Sequence, residues 1–205
     1  MSVKPSRPLL LSRRSVIAGA SGLALAGGLG NCAAAQIAEG DLPDAAAALT
    51  QVMPTLAPPV RFADPDGQAL TLADYRGHTL LVNLWATWCG PCIAEIPSFA
   101  ALVPQLKKSG VLVLPISVDL TGAAVVRPFY ARHGIDNLPI LLNQDGSDLQ
   151  TLDANGIPLT VVINPLGQLV ARMDGAANWN TPGTIAFLRG LSAATPRSHT
   201  GRVPA

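Results

Sequence analysis

Residues 79–85 read TLLVNLW, an almost unbroken apolar run that ends four residues before the first of two cysteines, Cys89 and Cys92. A run of this length and composition suits a strand covered on both faces rather than a half-exposed one. Such a strand has to lie inside a sheet, and both of its faces have to be packed. After the cysteines, Ile93, Ile96, Phe99, Ala100, Leu102, Val103 and Leu106 recur at helical spacing, and Gly110 stops the pattern. Pro97 interrupts that helix and predicts a kink. A buried strand feeding straight into a helix already points to the α/β class.

The remaining elements extend the same arrangement. VRFADPDGQALTL carries Asp66-Gly67 between two short segments, a hairpin signal, and Tyr75-Arg76-Gly77 reads as a turn. VLVLPISVD, residues 111–119, predicts a second buried strand in which Pro115 implies a bulge or a short edge. Residues 123–133 read as a helix ending before Gly134, and LPILLN, 138–143, as a short strand followed by a turn at Asp145-Gly146. A brief helix through Leu149 and Leu152 leads into GIPLTVVINPLGQLVARMDG, two strands meeting at Pro165-Leu166-Gly167. A last helix, Thr181 to Leu191, starts at Asn180 or Thr181 with Pro182. The order predicts a central mixed β-sheet with helices on both faces and an N-terminal β-hairpin.

The two ends read differently. Ser12-Arg13-Arg14-Ser15 precedes an apolar stretch from Val16 to Gly30 and then Ala33-Ala34-Ala35. A basic start, an apolar middle and a small-residue end describe an export signal over residues 1–35, and the adjacent arginines resemble a twin-arginine signal. Cleavage near Ala35 is the favoured reading over an uncleaved tether, and also over lipid on Cys32, because Asn31 precedes that cysteine where lipoprotein signals carry a small residue. Residues 36–57 form an alanine-rich leader, read either as a flexible spacer or as a short helix capped by Asp44 and running to Met53, with Pro54, Pro58 and Pro59 beyond it. Residues 192–205 offer little to bury and read as a disordered tail. Removing residues 1–35 leaves ten basic against thirteen acidic residues, so the formal charge falls from +1 to −3. That leaves no basic patch to advertise nucleic acid or anionic lipid as a partner.

Four readings of the cysteine pair compete. Structural zinc wants four ligands, and the exported part offers only Cys89, Cys92, His78, His133 and His199 without paired spacing. Copper handling is the alternative metal reading, since thiolates suit a soft metal. A structural disulfide across two residues constrains little of the unfolded chain. Redox use fits the placement best. Cys89 falls at a strand-to-helix junction, where free backbone N–H groups and the positive helix end favour a thiolate. Cys92, one turn later, is within bonding reach beneath it. Gly90 permits the tight entry and Pro91, in the first turn, needs no N–H partner.

WCGPC is the motif of thioredoxins, and WATWCGPCIAEIP resembles the thioredoxin-like TlpA/ResA/CcmG group of bacterial thiol–disulfide oxidoreductases. The resemblance continues through LADYRGHTLLVNLWATWC, VLPISVD and GIPLTVVINPLG, so it covers residues 58–191. It implies a thioredoxin-like fold with Cys89 as nucleophile, Cys92 as resolving cysteine and Pro158, after Ile157, as a cis-proline facing them. Asn83 stands where cytoplasmic thioredoxins carry a buried aspartate, and Glu95 matches a glutamate of the group, a candidate proton acceptor for Cys92. An exposed carboxylate supporting the helix dipole is the alternative for Glu95. Trp88 is expected to cover the disulfide, and Trp88, Gly90, Pro91 and Ile157 to meet substrate. Leu159 replaces the group's usual threonine after the proline, and Thr160 follows.

The implied activity is reduction of protein disulfides in the periplasm, with no cofactor beyond the redox-active Cys89–Cys92 pair. The implied partners are a disulfide-bearing protein, with apocytochrome c as the natural client because its C-x-x-C-H thiols must be reduced, and a membrane electron donor of the DsbD/CcdA kind.

Overall fold

The computed structural model describes residues 41–194 of the 205-residue chain. The expected signal, Cys32, most of the tail and His199 lie outside the described residues. Within them runs an eight-stranded mixed sheet. Its strands are β1 (Thr50–Leu56), β2 (Arg61–Ala63), β3 (Ala69–Thr71), β4 (Thr79–Trp85), β5 (Val111–Ser117), β6 (Leu141–Leu142), β7 (Leu159–Ile163) and β8 (Gln168–Asp174). Their spatial order is β1-β8-β7-β4-β5-β6-β2-β3. The helices are α1 (Ala45–Ala48), α2 (Gly90–Leu106), α3 (Ala123–Arg132), α4 (Ser147–Thr151) and α5 (Pro182–Ala193).

Every residue of β4 is buried, as its apolar run requires. It pairs in parallel with β5 and antiparallel with β7, and its side chains alternate between two cores. Leu81 and Trp85 join the core beneath α2 and α5, which also takes in Val126, Phe129 and Tyr130 of α3. Leu80, Val82 and Leu84 join a second core with Phe62 and Leu70 of the hairpin β2–β3, Tyr75 and Leu152. The hairpin thus closes one end of the sheet and caps its second face.

Two expectations are corrected. Asp44 does cap a helix, its Oδ1 accepting the Ala46 N–H at 2.8 Å, but the helix ends at Ala48 instead of reaching Met53. Thr50–Leu56 instead forms β1, pairing with β8 from Thr50↔Arg172 to Leu56↔Gln168. The sheet therefore begins before the expected domain start at residue 58. The pairing shifts between Gln51 and Thr55, so Pro54 sits in an irregularity of an edge strand, where no ladder bond is asked of it.

Pro115 also behaves differently from expectation: it lies within central strand β5, in unbroken register opposite Asn83. The backbone explains why. Val118 N–H reaches Trp85 O, while Ser117 O accepts from Asn143 N–H on the other side, so odd-numbered residues of β5 face β6. There β6 pairs only with Ile116 and Ser117. The missing N–H of Pro115 thus faces away from β4 and breaks no bond of that ladder. The terminal helix starts at Thr181, whose hydroxyl accepts the Thr184 N–H at 3.2 Å, followed by Pro182.

Burial makes the strands unequal. Leu84→Ala, at a fully buried site, is expected to cost about 2–5 kcal/mol in urea unfolding. Leu56→Ala on β1, where the side chain is 71% exposed, should change stability by no more than about 0.5 kcal/mol.

Candidate active site

β4 ends at Trp85, and a turn from Ala86 to Cys89, closed by Cys89 N–H to Ala86 O at 3.2 Å, delivers the chain to α2. Cys89 is the N-cap of that helix. Its Sγ accepts the Cys92 N–H at 3.3 Å, so the sulfur occupies the place usually taken by a serine or aspartate oxygen. Cys89 and Cys92 form a disulfide with their Cα atoms 5.2 Å apart. Cys92 is fully buried, while Cys89 keeps 6% of its surface. What surface the pair retains therefore belongs to Cys89.

Pro91 lies in the first turn of α2, where its missing N–H leaves nothing unpaired. Gly90 is not sterically required: a Cβ there would meet nothing within 4 Å. The tight entry is thus made by the N-cap and the turn before it, and glycine leaves the approach to Cys89 clear.

The Ile157–Pro158 bond is cis. It brings the Ile157 carbonyl to 3.7 Å from Cys89 Sγ, across 68 residues of sequence. Ile157 also lines a cleft of about 530 Å³ together with Trp88, Val118, Leu120, Gly146 and Leu149. Trp88 and Leu120 are 69% and 81% exposed. Trp88 is therefore an exposed wall of this cleft.

Beneath the pair lies Glu95, fully buried and three residues after Cys92, on the same side of α2. Its Oε1 accepts Asn83 Nδ2–H at 2.8 Å, and its Oε2 accepts the Trp179 Nε1–H at 3.1 Å and the Ala177 N–H at 3.2 Å. Burial raises its pKa from 4.5 to about 7, against the opposing pull of the Trp179, Ala177 and Asn83 hydrogen bonds. Three donors suit the ionised form while the surroundings favour the neutral one. The carboxyl is thus balanced near neutrality.

Asn83 also donates to Thr160 Oγ1 at 3.0 Å, so the threonine displaced by one position joins the same network while Leu159 packs in the core. Ser98 extends it, donating to Glu95 O at 2.7 Å and accepting the Trp179 N–H at 3.1 Å. Trp179, stacked on Phe99 with centroids 5.2 Å apart, is a site-forming residue that the sequence reading passes over. Its signal was a tryptophan, one of three in the chain, in the otherwise small and polar stretch GAANWN. Among the described residues no cluster of three or more His, Cys, Asp or Glu side chains is arranged to hold a metal.

The sheet, the cis-proline loop and the N-capping disulfide together define a thioredoxin-fold thiol–disulfide oxidoreductase. A model of the AhpC/TSA family matches residues 53–172, and the chain belongs to that family. It is 33% identical over 119 residues to the thiol-disulfide oxidoreductase ResA of Bacillus subtilis, a match spanning 58% of this chain and 65% of that protein. The solved thiol:disulfide interchange protein of Chlorobium tepidum shares the fold, with a TM-score of 0.56 at 22% identity over 70% of this chain and 99% of the other. The exposed lipoprotein thioredoxin Etrx1 of Streptococcus pneumoniae is 25% identical, with a TM-score of 0.51, covering 66% of this chain and 98% of its own.

A carboxyl whose pKa is raised on folding holds its proton more tightly in the folded state. Its contribution is fully present below the unfolded value near 4.5 and is lost as pH rises toward about 7. Asp148, buried and raised from 3.8 to about 6, acts in a lower, overlapping window that ends about a unit earlier. Urea unfolding of the wild type should therefore give falling stability between pH 4.5 and 7. Glu95→Gln should flatten the part of that slope due to Glu95, by up to about 3 kcal/mol across the window. A fall that is unchanged in Glu95→Gln and complete by about pH 6 would assign it to Asp148 instead.

Proposed function

We propose that this chain is an exported reductase of protein disulfides, working in the periplasm on a disulfide-bearing client such as apocytochrome c. The observation that carries the reading is the inequality of the two sulfurs. Cys89 caps the helix, retains surface and lies beside the Ile157 carbonyl, whereas Cys92 is sealed behind it. In the reduced protein the helix N-terminus and the Cys92 N–H favour a thiolate at Cys89.

That thiolate attacks one sulfur of the client disulfide and expels the other as a thiolate, giving a mixed disulfide. Cys92 loses its proton and attacks Cys89 Sγ. The client leaves with both sulfurs reduced, and the enzyme holds the Cys89–Cys92 disulfide. Two electrons have passed to the client, and a membrane dithiol donor of the DsbD/CcdA kind returns them. Glu95, one turn from Cys92 and balanced near neutrality, is suited to take the Cys92 proton. The backbone of the cis-proline loop can pair with an extended client segment, and the apolar walls at Trp88 and Leu120 suit the side chains beside its cysteine.

The export reading rests on the arginine-led apolar segment of residues 1–35 and on the likeness to an exposed lipoprotein. Among the described residues no helix is long and apolar enough to cross a membrane. Cleavage near Ala35 by the twin-arginine route is the proposed course, with tethering through an uncleaved signal or Cys32 as the alternative.

Expression of Cys92→Ala in the native host should accumulate mixed disulfides on Cys89, and mass spectrometry of these adducts should name the client. Cys89→Ser should form none and lose insulin reduction altogether. Adducts attached equally well through Cys92 in Cys89→Ser would overturn the assignment of roles. With Glu95→Gln the wild-type cysteine pair should hold its mixed disulfide longer, by roughly tenfold for loss of one acid–base group, measured by quenched-flow trapping.

A further inference from the structure

Asp119 is 4% exposed and lies just beyond β5. Its carboxylate accepts three hydrogen bonds: Thr87 N–H at 2.9 Å, Thr87 Oγ1–H at 2.8 Å and Ser117 Oγ–H at 2.8 Å. Ser117 Oγ in turn accepts the Asp119 N–H at 3.1 Å, which fixes the direction of the side chain. Among the described residues the only ion pair is Arg172–Asp174. Asp119 is therefore held by directional donors, not by a counter-charge.

The residue it grips is singular. Thr87 is the first inner residue of the Ala86–Cys89 turn, the whole connection between the buried strand and the nucleophile's N-cap. Its neighbour in the turn, Trp88, is 69% exposed and packs too little to fix the turn. Asp119 holds Thr87 by both main chain and side chain. On its other side Asp119 O closes a turn with Gly122 N–H at 2.9 Å, and Leu120 O accepts from Gln144 Nε2 at 2.9 Å. Gly122 has φ +61° and packs against that amide; a Cβ there would come within 2.8 Å of it. The loop bearing Leu120 is thus tied down from two directions. Asp119 thus links the loop of the nucleophile, through its carboxylate, to the loop carrying Leu120, which lines the same cleft.

We propose that Asp119 is a positioning residue for thiol–disulfide exchange, acting through Thr87 to set Cys89 Sγ at the helix mouth and against the Ile157 carbonyl. It touches neither sulfur. Removing the brace would let the turn sample orientations in which Sγ leaves the Cys92 N–H, and the attack would slow in a protein that is still folded.

The decisive pair is Thr87→Val, which removes one donor from a partly exposed residue, and Thr87→Ser, which keeps it. The readout is the second-order rate at which the reduced protein attacks a small aromatic disulfide, dithiobis(nitrobenzoate), at pH 7, far below each variant's melting temperature. Thr87→Val should be roughly tenfold slower, the size expected for a hydrogen bond to a charged group, and Thr87→Ser within about twofold of wild type. Asp119→Ala should be at least as slow as Thr87→Val. Adding Thr87→Val to it should cost little more, because both act through one link. Wild-type speed in Thr87→Val, accompanied only by a lower melting temperature, would make the contact structural and overturn the proposal. Equal slowing by Val and Ser, or additive losses in the double variant, would overturn it too. If Asp119→Ala fails to fold, the Val and Ser pair decides alone. Insulin reduction by the wild type reports separately on the proposed function, since attack on the small disulfide needs no client.

Discussion

The complete burial of one strand governs this molecule. β4 has a sheet neighbour on each edge and a hydrophobic core on each face, so its position is fixed in every direction. Chain leaving such a strand can only begin a new element at its end, and the helix that begins there inherits the strand's rigidity at its first turn. The disulfide stands at that point. A reactive sulfur on a mobile loop would face water and partners in many orientations; here its backbone is anchored by the part of the molecule least able to move.

Polar groups are then threaded through the packed interior in a few places, each with a purpose. Glu95 is the costliest of them, a carboxyl removed from water and given three donors. Those donors come from β4, from the loop before α5 and from a tryptophan ring of that same loop, elements brought together only by the finished fold. The group's affinity for its proton is consequently a property of tertiary structure. It belongs to the folded domain and would revert in the separated helix.

Much of this was readable beforehand, and for definite reasons. TLLVNLW announced β4 because burial on both faces leaves no polar position, and the cysteines announced the site because strand-to-helix spacing is local. The disulfide and the fold class followed. What escaped the reading depended on partners distant in sequence. Thr50–Leu56 carries a proline after an alanine-rich stretch, and only β8 makes it a strand. Pro115 looked disruptive until the backbone revealed which way its nitrogen faced. For Trp179 and Asp119 the local sequence does not show the role, because the atoms that give them importance are contributed 84 and 32 residues away. Gly90 reads in the sequence as permitting the tight entry, yet the capping sulfur makes that turn and a side chain there would meet nothing.

The open space around Gly90 separates two demands that usually conflict. Since no neighbouring atom would resist a larger residue there, the identity of the first residue between the sulfurs can vary without disturbing the packing below. The residue at the helix entry and the packing of the core beneath it are thus free to change independently of each other.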